Sequence, residues 1–91
     1  MRKTRDGEAD GMTATERRLA DIWRQVLNVE MVQRDSNFYD LGGDSLLAMR
    51  VLARVRRAFG ISLSVRKLLG RPTLAEFATV ISSATVGPHR N

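Results

Sequence analysis

Cysteine is absent from this chain, and histidine occurs once, as His89 near the C-terminal end. The first absence excludes a disulfide scaffold and a zinc site of thiolate type. No other cluster has metal-ligand spacing. Long apolar runs are missing too, and none approaches the ~20 residues needed to span a bilayer. The N-terminus, Met1-Arg2-Lys3-Thr4-Arg5-Asp6, is basic but lacks the apolar stretch of a signal peptide. The cytoplasm is the simpler compartment for such a chain. No Gly-x-Ser-x-Gly motif is present, and Ser45 has no His or Lys base placed by a recognisable motif. The residues as encoded therefore offer almost no catalytic chemistry. With 91 residues the chain has room for one small domain, a modest core and no deep pocket.

Positive charge is present in excess. Fifteen Lys and Arg stand against ten Asp and Glu, a formal charge of +5. The excess is unevenly placed. From Asn28 to Asp44 the acids Glu30, Asp35, Asp40 and Asp44 accompany one base, Arg34. From Ser45 to Arg71 come Arg50, Arg54, Arg56, Arg57, Arg66, Lys67 and Arg71, with no acid. A basic half thus follows an acidic loop. The charge raises the hypothesis of a small helical nucleic-acid binder. Against it, arginines on the outer side of an amphipathic helix are ordinary. The connection before the Arg-rich segment is also too long for a helix-turn-helix.

Residues 1–12 are polar and charged, and are expected to be a disordered lead-in. Residues 84–91 hold Gly87 and Pro88 and are expected to be a flexible tail. Between them, residues 13–83 form the domain. Thr13 and Glu16 fit a capping box that starts a first helix. Leu19, Ile22, Trp23, Val26 and Leu27 give it one apolar stripe, with Trp23 in the core. Arg17, Arg18, Asp21 and Arg24 are expected to face largely to water. A long loop follows to Asp44, with Phe38, Tyr39 and Leu41 expected to pin it to the core. A loop of this length in so small a domain is uncommon unless it serves a purpose. The second helix is expected from about Ser45 to Phe59, capped by Asp44 and ended by Gly60. Its core face carries Leu47, Ala48, Val51, Leu52, Val55, Ala58 and Phe59. Leu46, Met49 and Ala53 fall on the other side, among arginines. A short helix is expected from about Ser64 to Leu69. Thr73 and Glu76 repeat the capping box before a last helix to about Ser83. The fold class is all-α, a small bundle of three main helices and one short one.

Ser45 stands where Gly42 and Gly43 give way to the second helix. A serine in a first turn projects outward, beside unpaired amides and the positive end of the helix dipole. A phosphodiester there would sit in a favourable field. The same residue types serve equally as a helix cap.

From Phe38 the chain runs Phe-Tyr-Asp-Leu-Gly-Gly-Asp-Ser-Leu-Leu-Ala-Met. This resembles the core signature of peptidyl carrier proteins, the thiolation domains of nonribosomal peptide synthetases. The resemblance covers about residues 13–83. It takes in Ile22-Trp23, the approach from Asp35 to Phe38, Arg57-Ala58-Phe59-Gly60 and Pro72-Thr73-Leu74. It implies a four-helix carrier bundle that catalyses nothing itself. It implies a 4′-phosphopantetheine arm, moved from coenzyme A to Ser45 by a phosphopantetheinyl transferase, with Asp44 and Gly43 flanking the attachment. The arm's thiol would then carry intermediates as thioesters. The implied partners are an adenylation enzyme and condensation, tailoring or thioesterase enzymes, with no nucleic acid and no membrane, and the carrier acting as a monomer. By position, Leu46 and Met49 match residues offered to partners, and Val65 and Leu69 match a second patch. For Val65 and Leu69, plain core packing stays open. Many peptidyl carriers have His before the serine, where this chain has Asp44. Asp there also occurs in acyl carriers, so a polyketide-type acyl carrier is the alternative. The Met start and short tails suit a free-standing carrier and a domain of a larger synthetase equally.

Overall fold

The structure is a computed structural model and describes residues 11–86. The expected lead-in up to residue 10 and the tail from residue 87 lie outside the described residues. Met12, assigned to the lead-in by composition, is half-buried against the core. Among the described residues the helices run in the order α1 (Ala14–Leu27), α2 (Ser45–Phe59), α3 (Val65–Gly70) and α4 (Leu74–Val86). α4 therefore continues past the expected end at Ser83. No helix among them is long and apolar enough to cross a membrane.

Local chemistry sets the helix ends. Thr13 accepts the Glu16 amide at 3.0 Å, and Glu16 accepts the Thr13 amide at 2.9 Å. Both bonds of the capping box are thus formed, and two orphan donors are satisfied. Asn28 closes α1 in the left-handed region at φ 57°, which Asn tolerates better than most residues. Gly60 does the same for α2 at φ 73°. Ser64 caps α3. Thr73 and Glu76 exchange bonds of 3.2 Å at the start of α4.

The core is one cluster fed by every element. Leu19, Ile22 and Trp23 come from α1, and Ala48, Val51 and Val55 from α2. Leu68 of α3 and Leu74, Phe77 and Ile81 of α4 complete it from the other side. α1 packs on α2 and α4, and α3 closes against both α2 and α4. Each fully buried side chain of this size contributes about 1.5–3 kcal/mol. Trp23 is fully buried and meets Phe38 edge-on, with ring centroids 5.3 Å apart.

Phe38 belongs to the loop, so that contact nails the loop to the bundle. Backbone bonds reinforce it: Phe38 N–H donates to Pro72 O, Leu74 N–H to Ser36 O and Ala75 N–H to Arg34 O, at 2.8–3.1 Å. The loop is therefore tied along the start of α4. A second tie involves charge. Arg34 Nε donates to both oxygens of Glu16, at 3.1 and 3.2 Å. Glu16 is 4% exposed, and the capping carboxylate of α1 also holds the loop. Of the polar α1 residues expected to face water, Arg17 is half-buried.

Candidate functional site

The loop delivers Ser45 through a short wound segment. Asn37 Oδ1 accepts the amides of Tyr39 and Asp40, at 2.8 and 3.2 Å. Leu41 N–H then donates to Asn37 O, Gly42 N–H to Tyr39 O and Gly43 N–H to Phe38 O, at 2.9–3.1 Å. The chain coils once around Phe38 and leaves into α2.

The two glycines serve different needs. Gly42 has φ +96°, a conformation that favours glycine. Gly43 has no such angle, but a Cβ there would lie 2.4 Å from two carbons of the Phe38 ring. Gly43 is needed for close approach. The sequence by itself does not separate these two needs.

Asp44 is extended and accepts the Leu47 amide at 2.9 Å. The cap of α2 is therefore Asp44. Ser45 is the first helical residue, exposed, and its hydroxyl makes no hydrogen bond among the described residues. Its own amide and that of Leu46 have no intrahelical acceptor, as in any first turn. An exposed, unengaged hydroxyl beside two free amides at the positive end of a 15-residue helix fits a phosphate ester in shape and charge.

Leu46 is 60% and Met49 58% exposed, so both stand off the core, as the helical wheel places them. Val65 and Leu69 are half-buried against the core. Met49 and Val65 are brought together in a shallow hollow of about 330 Å³ between α2 and the start of α3. Leu52, Ala53, Arg56, Ser62 and Leu63 complete its lining. Leu46 and Leu69 lie outside it. Sequence reasoning missed Leu52 and Leu63 as lining residues, because Leu52 falls on the core side of the wheel and Leu63 lies in a segment without periodicity.

Tyr39 departs from expectation. It is 47% exposed and not a core pin. Its ring meets Phe38 edge-on at 6.2 Å, and its hydroxyl donates to Leu69 O at 3.3 Å. The ring thus lies over the surface and links the loop to the end of α3.

Residues 17–81 match the family model described as a phosphopantetheine attachment site. The chain belongs to that family. It is a carrier domain closely related to the peptidyl carrier domains of nonribosomal peptide synthetases. As a carrier it is a substrate for other enzymes and not a catalyst. It is 45% identical over 73 residues to surfactin synthase subunit 1 of Bacillus subtilis, a match covering 80% of this chain and 2% of that subunit. The carrier domain thus spans a small fraction of such a relative. In three dimensions it is similar to an active-site mutant peptidyl carrier protein, with a TM-score of 0.76–0.82 across this and the next structure. That mutant is 32% identical, with a TM-score of 0.82, and the match covers 88% of this chain and 89% of the other. A peptidyl carrier protein in complex with the phosphopantetheine transferase Sfp and coenzyme A is 35% identical, with a TM-score of 0.76. That match covers 79% of this chain and 94% of the other. The four-helix carrier fold is shared with both.

Proposed function

We propose that this chain carries amino or aryl acids as thioesters on a 4′-phosphopantetheine arm joined to Ser45 Oγ. The observation that supports it is the free, exposed Ser45 hydroxyl at the start of α2, with Asp44 taking the capping role. Bound there, the arm supplies a thiol, which the encoded residues lack. This chain's own part is positional. Gly42 and Gly43 wind the loop over Phe38 so that Ser45 is presented clear of it. The Ser45 and Leu46 amides are left to meet phosphate oxygens. Among the described residues no side chain bonds the Ser45 hydroxyl, and we propose that the transferase brings the base that takes its proton. Gly43 and Asp44 hold the attachment point without engaging its hydroxyl.

The proposed partners are a phosphopantetheinyl transferase, an adenylation enzyme, and condensation, tailoring or thioesterase enzymes. They are proposed to meet a monomeric carrier in the cytoplasm, where coenzyme A is at hand. Intact-protein mass spectrometry after incubation with coenzyme A and a promiscuous transferase should show a single arm. An unchanged mass overturns the proposal. The armed protein, offered to adenylation enzymes and malonyl transferases in parallel, should be loaded by the former. Preference for a malonyl transferase would reassign it as a polyketide-type acyl carrier.

Leu46, Met49, Val65 and Leu69 are proposed to meet those partners. Met suits several partners, since its flexible thioether adapts to differing surfaces. Met49→Ala should alter stability by no more than about 0.5 kcal/mol, as for an exposed site. A buried Met would cost about 2–5 kcal/mol. The variant should melt with wild type and slow transfer to at least one enzyme. A large drop in melting temperature with normal transfer would place Met49 in the core instead.

A further inference from the structure

Around α3 the exposed charge is of one sign. Arg66, Lys67 and Arg71 are all exposed, and their side chains make no ion pair or hydrogen bond among the described residues. By contrast, Arg24 pairs with Asp21 and Arg34 with Glu16, and Arg54 donates to Gln25 Oε1 at 2.6 Å. From Ser45 to Asn91 the chain has one acid, Glu76. That carboxylate is taken up at the start of α4, where its Oε1 accepts the Thr73 amide at 3.2 Å and the Thr73 hydroxyl at 2.9 Å.

The helix dipole does not explain this placement. Arg71, at the C-cap of α3, is favourably placed. Arg66 is the second residue of that helix, where a cation opposes the dipole. Lys67 and Arg71 stand four residues apart, a spacing at which like charges repel. The domain bears a cationic cluster that its own stability does not need.

The three cations line two adjoining hollows between α3 and α4. One, of about 400 Å³, has Leu63, Lys67, Arg71, Val80 and Ser83 in its lining. The other, of about 340 Å³, is lined by Arg66, Lys67, Gly70, Arg71 and Val80. Lys67, Arg71 and Val80 are common to both, so the two make one groove, and no acid lines either. Leu63 and Val80 are half-buried, and the exposed Ser83 hydroxyl makes no bond among the described residues. No residue of α2 lines the groove, and it shares only Leu63 with the hollow beside Met49. We propose that the α3–α4 groove is a separate docking site for an acidic helical segment of a partner protein. Lys67 and Arg71 lie about 6 Å apart along α3, and carboxylates one turn apart on a helix have the same spacing. Two such carboxylates meet Lys67 and Arg71, a third acid meets Arg66, and an aliphatic side chain between them rests on Leu63 and Val80. Exposed ion pairs add little affinity by themselves, so the apolar contact holds the segment and the charges select it. A phosphate backbone would match the cations and leave the apolar residues uncovered. A segment held here leaves Ser45 open, because the groove contains no part of α2.

The test uses the full chain, labelled with nitrogen-15, and a synthetic helical peptide of about 14 residues with Glu one turn apart on either side of a Leu. Titration should move the amide signals of Lys67, Gly70, Arg71, Val80 and Ser83 to saturation and leave those of Ser45 and Met49 in place. The same peptide with Gln for Glu should bind about tenfold more weakly, and so should the Lys67→Glu/Arg71→Glu variant with the Glu peptide. Binding should also weaken with salt, because exposed charge pairs are screened. Arg50→Glu/Arg57→Glu makes the same change in net charge on α2, outside the groove, and should bind as wild type does. If the Lys67→Glu/Arg71→Glu variant melts early, Lys67→Gln/Arg71→Gln gives the same test with a smaller shift. Absence of saturable shifts, shifts centred on Met49 and Val65, or equal binding of the Glu and Gln peptides overturns the proposal. Tighter binding of labelled DNA or RNA at near-physiological salt, lost in the same variant, overturns it in favour of nucleic acid. None of these readouts needs the arm, so this proposal and the carrier function fail separately.

Discussion

Ser45→Ala is expected to fold as wild type does and to accept no arm. The chemical loss is complete, because Oγ is the atom to be esterified and Ala supplies none. The structural loss is small. Asp44, not Ser45, accepts the Leu47 amide, and the Ser45 side chain is exposed and makes no bond among the described residues. Removing a capping hydroxyl would cost about 1 kcal/mol. Removing this one should change stability by no more than about 0.5 kcal/mol. Intact mass and a thermal melt, run on one sample, separate the two effects. An Ala variant that still gains the arm would place the attachment elsewhere.

Gly43→Ala should damage both the fold and the site. The added Cβ would stand 2.4 Å from Phe38 Cδ2 and Cε2 and 2.7 Å from Cζ. The ring cannot easily yield, since it is fully buried and packed against Trp23. Overpacking of this kind costs about 1–3 kcal/mol. In a domain this small, each kcal/mol lowers the melting temperature by about 4–8 °C. A fall on the order of 10 °C is therefore expected. Relief by moving the backbone would shift Asp44 and Ser45, so arm attachment should slow as well. A melting temperature within about 2 °C of wild type would mean that the ring gives way and Gly43 is no spacer.

These variants mark where the sequence is transparent and where it is not. Both capping boxes, Thr13 with Glu16 and Thr73 with Glu76, were legible because each is closed by residues three apart. The limits of α2 were legible for the same reason, from Asp44 at one end and Gly60 at the other. The exposure of Leu46 and Met49 followed from helical geometry once α2 was granted. Tyr39 was misjudged because an aromatic ring beside Phe38 invites a core assignment. Its hydroxyl finds Leu69 O across the surface, and nothing near Tyr39 in sequence announces that partner. The end of α4 was placed short because Ser82, Ser83 and the following glycine and proline resemble a stop. The helix continues to Val86.

By itself, the sequence determined the order of the helices, the caps at Thr13, Asp44, Gly60 and Thr73, most of the core and the position of Ser45 at a helix start. Those features rest on periodicity and on bonds between near neighbours, which a linear chain displays openly. Only the tertiary structure decided how the loop is held, through Arg34 on Glu16 and Phe38 on Trp23, and that Gly43 is a spacer under an aromatic ring. It also decided that Met49 and Val65 share one hollow, and that Arg54 of α2 reaches Gln25 of α1. Each of these depends on which residues, far apart along the chain, come to lie within a few ångströms once the helices pack.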